Sequence, residues 1–192
     1  MTINLSDRAK ELIPKAKIVS FTGWQEVYSQ EIIDLFQAAE NEKRYLSDRD
    51  LAIIANIHPE KSTPLATAKK LRNNAKEIID RARIKVLEKY PDITEPGGAL
   101  YPPIRAEACW RDFWQFLRCI TYGIAGENCN YLSQEGLQNM ELLYRELRVP
   151  LKAMVTGLEN LKYFSLQEFE SQDRSKIAPY FDRLIDKMKQ FE

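Results

Sequence analysis

Several classes of protein are excluded by what this sequence lacks. No run approaches the roughly 20 apolar residues that a bilayer-spanning helix needs. The first residues, MTINLSDRAKELIPKAK, carry charges throughout and have no apolar centre like that of a signal peptide. An intracellular protein is expected. There is one histidine, His58, so a His-rich metal site is excluded. The three cysteines, Cys109, Cys119 and Cys129, are an odd, sparse set that fits a reducing compartment, and their spacing is no zinc pattern. Neither sign of charge dominates: 28 basic residues face 28 acidic ones. That balance gives no footprint for nucleic acid or an anionic membrane, and it leaves association with other subunits unopposed by self-repulsion. Internal repeats, low-complexity linkers and catalytic motifs are also missing, so no enzyme is expected.

What is present is helical periodicity almost everywhere, in a chain long enough for one domain with a sizeable core. Tyr28, Ile32, Leu35, Phe36 and Ala39 make a first stripe. Ser47 and Asp50 resemble a capping box opening a short helix to about Ala55. After His58-Pro59, Pro64 suits the first position of a long helix whose inner face is Ala68, Leu71, Ala75, Ile78, Ile79, Ala82 and Val86. Residues 91–98 read as a loop. A second long helix is expected from about Arg105 to Tyr122, ended by Gly123 and Gly126. Ser133 and Pro150 open two more, and Ser165 with Glu168 looks like the capping box of the last. Period-two alternation is missing, so the class is all-α with roughly seven to nine helices.

One segment combines packing with chemistry. In Ala106-Glu107-Ala108-Cys109-Trp110-Arg111-Asp112-Phe113-Trp114, the residues Trp110, Phe113, Trp114 and Leu117 read as a core stripe. Cys109, Asp112 and Phe116 share a second face, so a thiol and a carboxylate stand one helical turn apart. Arg105 precedes Cys109 by one turn, whereas Arg111 lies about 200° round the wheel. From periodicity alone, the plain reading comes first: Cys109 is a small buried hydrophobe, and Asp112 with either arginine is a surface ion pair worth under about 1 kcal/mol.

A family resemblance carries the reading further. Cys109-x-Arg111-Asp112, followed by Ile120-Thr121-Tyr122-Gly123-Ile124, resembles the chromophore segment of phycobiliproteins, especially allophycocyanin-type subunits. Arg44-Tyr45-Leu46-Ser47, Asn74-Ala75, Pro96-Gly97-Gly98-Ala99-Leu100-Tyr101, Gly136-Leu137 with Tyr144, Leu147 and Pro150, and Tyr180-Phe181-Asp182 follow the family in order and spacing. The resemblance implies a globin-like phycobiliprotein fold with extra N-terminal helices. It implies one domain over 1–192, with an extended helical region at 1–44 and a family core at 45–192. It also implies a covalent linear tetrapyrrole, a phycocyanobilin-type bilin, as cofactor. Carried over residue by residue, Cys109 forms the thioether, Asp112 accepts hydrogen bonds from the pyrrole N–H groups, Arg111 pairs with a propionate, Arg105 with the second, and Tyr122 completes the set. The implied partners are the bilin, a bilin lyase and other phycobiliprotein-like subunits, with no nucleic acid. The implied place is the cytoplasm or the cytoplasmic face of the thylakoid membrane.

Two departures bear on role. Ala99 stands where antenna β-type subunits carry an asparagine, and Tyr45-Leu46-Ser47 falls roughly two dozen residues later than usual. A light-harvesting subunit is the first expectation; an accessory protein for bilin handling or photosystem assembly is the second. The stripe Trp24, Tyr28, Ile32 and Phe36 must bury itself on its own domain, on one dedicated partner, or in a lengthened version of the family's pairing helices. Either of the first two would prevent the chain from building trimeric discs by itself.

Overall fold

A computed structural model describes residues 5–191. Its helices are α1 (Asp7–Leu12), α2 (Gln30–Asn41), α3 (Asp48–Ile57), α4 (Ser62–Lys89), α5 (Pro103–Ala125), α6 (Gln134–Glu146), α7 (Leu151–Gln167) and α8 (Ser171–Met188). Among the described residues there is no strand, only an isolated bridge between Val19 and Leu132. The all-α class therefore stands. The long helix α4 packs along both α5 and α7, and α8 closes over α7 and α5. All seven residues named for the inner face of α4 are buried.

The helix ends follow local chemistry. The Ser47 hydroxyl accepts from the Asp50 amide while the Asp50 carboxylate accepts from the Ser47 amide, the reciprocal box that starts α3. The Ser133 hydroxyl accepts from the Gly136 amide at the start of α6. Three boundaries differ from expectation. Helix α4 begins at Ser62, after a 3-10 turn over Pro59–Lys61, so Pro64 lies inside its first turn. Helix α5 runs through Gly123 because the Tyr131 ring rests where a β-carbon would be, 2.5 Å away, and the glycine serves close packing rather than termination. Ser165 and Glu168 form no capping box. Ser165 lies inside α7, fully buried, its hydroxyl without a hydrogen-bond partner among the described residues, because the apolar stripe runs on through Phe164; α8 opens after Glu170.

The N-terminal region folds back on its own domain. Its α-helices are α1 and α2; between them a strap, with one 3-10 turn at Trp24–Glu26, crosses the end of α5 and the start of α6. The Ser20 amide donates to the Tyr131 carbonyl, and the Ser133 amide donates to the Ile18 carbonyl. The Tyr28 hydroxyl donates to the Gly126 carbonyl at 2.8 Å. Trp24, Tyr28, Ile32 and Phe36 are all buried, in one aromatic cluster with Phe21 and Tyr122. The strap's path needs small residues beneath it. A β-carbon on Gly126 would lie 2.4 Å from the Trp24 ring, and one on Gly136 would lie 1.7 Å from the Lys17 carbonyl oxygen. Beneath α2, the carboxylate of Glu40 accepts from Arg118 of α5 at 2.5 Å, both side chains being under a tenth exposed. The same guanidinium donates to the Tyr122 hydroxyl at 2.5 Å, and that hydroxyl donates to the Arg44 carbonyl.

Candidate functional site

The buried face of α5 centres on Ala106, Cys109, Phe113, Phe116, Leu117 and Ile120. Trp110 and Trp114 lie at its margins, which corrects the stripe expected to hold both in the core. Trp110 is half-buried, and Trp114 is 37% exposed with its ring edge-on to Tyr45 at 5.1 Å. Cys109, at 5% exposure, points into the core side. Burial pushes its thiol up to about 12, the Asp112 carboxylate pushes the same way, and Arg105 opposes. The resting thiol is therefore protonated at neutral pH.

One turn on, Asp112 is half-buried. The Tyr144 hydroxyl, on α6, donates to its Oδ2 at 2.7 Å. The other carboxylate oxygen has no donor among the described residues. Burial raises this carboxyl to about 6, against the opposing pull of the Tyr144 hydrogen bond and of Arg111. Tyr144 enters the sequence reading only as part of a family motif on α6, with no role at the site. Its contact with Asp112 joins positions 32 apart, which no periodicity within one helix reveals.

The remaining expected residues divide. Arg111 is exposed and, among the described residues, its guanidinium makes no hydrogen bond, one residue from Asp112. Arg105 is already engaged: it donates to the Leu147 carbonyl at 2.8 Å, and more weakly to those of Arg148 and Ala99. Those contacts lock the start of α5 to the end of α6. Tyr122 is not brought to Cys109 at all. Thirteen residues along one helix is about 20 Å, and its phenol is committed to the Glu40–Arg118 cluster. His58 stays in its turn, edge-on to Tyr28 and paired with Glu60 at 2.9 Å. Arg72 ties the Leu46 carbonyl and Asp48 to α4.

Two clefts border this architecture. The larger, about 480 Å³, is a polar groove between the strap, α2 and the start of α6, remote from Cys109 in the chain's architecture. The smaller, about 380 Å³, lies between α4 and the first turns of α5, with Arg83, Leu87, Thr94, Ala106 and Trp110 among its walls. It is within the usual size range of a ligand site. Ala106 and Trp110 flank Cys109 by one turn and one residue, and the Arg83 guanidinium lies over the Trp110 ring at 5.2 Å. Arg83 comes from another helix, so the sequence alone did not connect it with the site. A thiol, a carboxylate and two arginines that, among the described residues, keep one oxygen free of donors and both guanidinium groups free of carboxylates, and an aromatic wall fit a long, flat, multiply hydrogen-bonding ligand with acidic side groups.

Comparison with known proteins gives a family and several named relatives. The model of the phycobilisome protein family matches residues 34–188. The allophycocyanin alpha-B chain of Cyanidium caldarium is 35% identical, over 79% of this chain and 94% of its own length. The alpha-B chain of a Synechococcus species is 34% identical, over 79% and 93%. A putative allophycocyanin subunit alpha 2 of a Nostoc species is 29% identical, over 82% and 98%.

Proposed function

The chain belongs to the phycobilisome protein family, and from that membership we propose that it is a light-harvesting, bilin-binding subunit of allophycocyanin type. The observation that carries this reading is the turn of α5 that sets a free thiol, Cys109, one step from the half-satisfied carboxylate of Asp112. Cys109 forms the thioether with a linear tetrapyrrole of phycocyanobilin type. Asp112 accepts from the central pyrrole N–H groups through the oxygen that no protein donor occupies. Arg111 takes a propionate; Arg83, over Trp110, is placed to take the other in preference to Arg105, whose donors already hold carbonyls. The pigment supplies light absorption, and the protein supplies orientation and electrostatics rather than catalysis. A bilin lyase and other phycobiliprotein-like subunits are the partners, at the thylakoid surface; among the described residues no helix is long and apolar enough to cross a membrane.

The roles of the two charged residues separate spectroscopically. Asp112→Asn weakens and blue-shifts the visible band of the pigmented protein more than Arg111→Lys does, because the first removes the anion that holds a cationic ring system extended and the second alters a flexible propionate contact. An unchanged spectrum in the Asp112 variant would sink that role. The same substitution stabilises the pigment-free chain. Asp112 has a folded value near 6 against an ordinary 3.8. The stability linked to its raised value is complete below 3.8 and lost as pH rises through 6. The penalty at pH 8 is about 2 kcal/mol after allowance for partial exposure. Asn keeps an acceptor for Tyr144 and lifts the penalty, so the pigment-free variant unfolds later than its parent at pH 8 and level with it below pH 4.

Assembly follows from the cis-folded strap. The pigmented chain sediments as a monomer, or within complexes with other subunits, and its own copies build no ring. A hexamer-sized ring of this chain alone at micromolar concentration would reject that expectation.

A further inference from the structure

We propose that Tyr144 is a gate over Cys109 and Asp112, and that Phe191, in the turn that follows α8, is the latch holding it shut. This deepens the reading of Cys109 as the attachment site and rests on it. Cys109 is 5% exposed, so nothing reaches its sulfur without a movement. Tyr144 is the side chain that links the parts. It is buried, its hydroxyl sits 2.7 Å from Asp112, and both Asp112 and Cys109 are close enough to raise its phenol further after burial has done so. It therefore remains a donor to Asp112 at every physiological pH.

What keeps Tyr144 in place differs on its two sides. On one side Arg105 clamps the end of α6 through the Leu147 and Arg148 carbonyls, so the helix itself is fixed. On the other, the Phe191 ring stands edge-on to Tyr144, centroids 6.3 Å apart at 85°. Past α8, the Gln190 amide donates to the Lys187 carbonyl at 3.1 Å and the Phe191 amide to the Met188 carbonyl at 3.2 Å, and the Phe191 ring is partly buried against the core. That turn opens without unwinding α8. Opening removes the ring that backs Tyr144, and rotation of Tyr144 then uncovers the thiol and the carboxylate together. Closed, Tyr144 holds one acceptor of Asp112; open, that acceptor joins the other oxygen in facing the pyrrole N–H donors.

The test uses the full-length, pigment-free chain and N-ethylmaleimide, with mass spectrometry following Cys109 and Cys119 separately. Cys119 is buried in the same helix and reports global opening. Phe191→Ala is expected to speed labelling of Cys109 by about tenfold, the scale of one aromatic pair, while Cys119 keeps its parental rate. Tyr144→Phe, which retains the ring and loses the bond to Asp112, gives a smaller rise at Cys109 alone. An unchanged Cys109 rate in Phe191→Ala, or Cys109 and Cys119 rising together, would overturn the gate. A Cys109-specific rise in a chain that takes no pigment in co-expression would support the gate and refute the attachment reading.

Discussion

Cys109→Ser, co-expressed with a bilin pathway and a suitable lyase, yields a folded protein that shows no zinc-enhanced fluorescence on a denaturing gel. Attachment adds the thiol across a carbon–carbon double bond of the pigment: sulfur bonds one carbon and the hydrogen ends on its neighbour. A serine hydroxyl is far too weakly acidic and nucleophilic to do the same at neutral pH. The other thiols offer no substitute. Cys119 is 1% exposed in the core, and Cys129 is exposed in the turn after α5, well beyond the far end of that helix from Asp112 and Arg111. Exchange of sulfur for oxygen at a buried position costs about 1 kcal/mol, too little to unfold the chain. Loss of covalent colour with an unchanged helical circular dichroism spectrum is the result that supports the assignment. Retention of stained pigment places attachment elsewhere, with Cys129 next to be tested.

The largest expected loss of stability is at the other end of the same helix. Arg118→Ala leaves Glu40 as a buried carboxylate without its cation, and also removes a donor to Tyr122. Breaking one side of a buried ion pair costs roughly 3–5 kcal/mol, mostly through the charge left behind. For a chain of this size the melting temperature falls by on the order of 10 °C. Replacing both partners, Glu40→Gln with Arg118→Met, removes the orphaned charge and recovers much of the loss. Thermal unfolding of the single and double variants decides the matter. A single variant that melts within about 2 °C of the parent would mean that the pair contributes little and that aromatic packing alone docks α2.

The long-range order of the fold was legible because it rests on repeated, redundant signals. The inner face of α4 announces itself seven times over, and each of its residues is buried. Signals that depend on one residue fared unevenly. Ser47 with Asp50 is a cap because the chain before it is free to turn; Ser165 with Glu168 shows similar spacing but sits where an apolar stripe runs on. Gly123 looked like a helix end and proved to be the floor for an aromatic ring. At the site, periodicity within α5 put Cys109 and Asp112 on one face. It said nothing of Tyr144 or Arg83, which arrive from α6 and α4, nor of the carbonyls that already engage Arg105. Tyr122 entered through a contiguous motif, and contiguity along a helix is not proximity: thirteen residues carry it to a separate buried cluster.

The strap also imposes an order in time. The Trp24 indole donates to the Asn130 carbonyl, a partner 106 positions later in the chain. During synthesis at about 5–20 residues per second, that partner leaves the ribosome roughly 5–20 s after Trp24 does. For that interval Trp24, Tyr28 and Phe36 have no surface to cover, because the groove that receives them is built by residues not yet made. The strap is therefore translated well before it can find its place, and until α5 and α6 have met, the nascent protein presents an aromatic segment to chaperones and to any neighbouring chain.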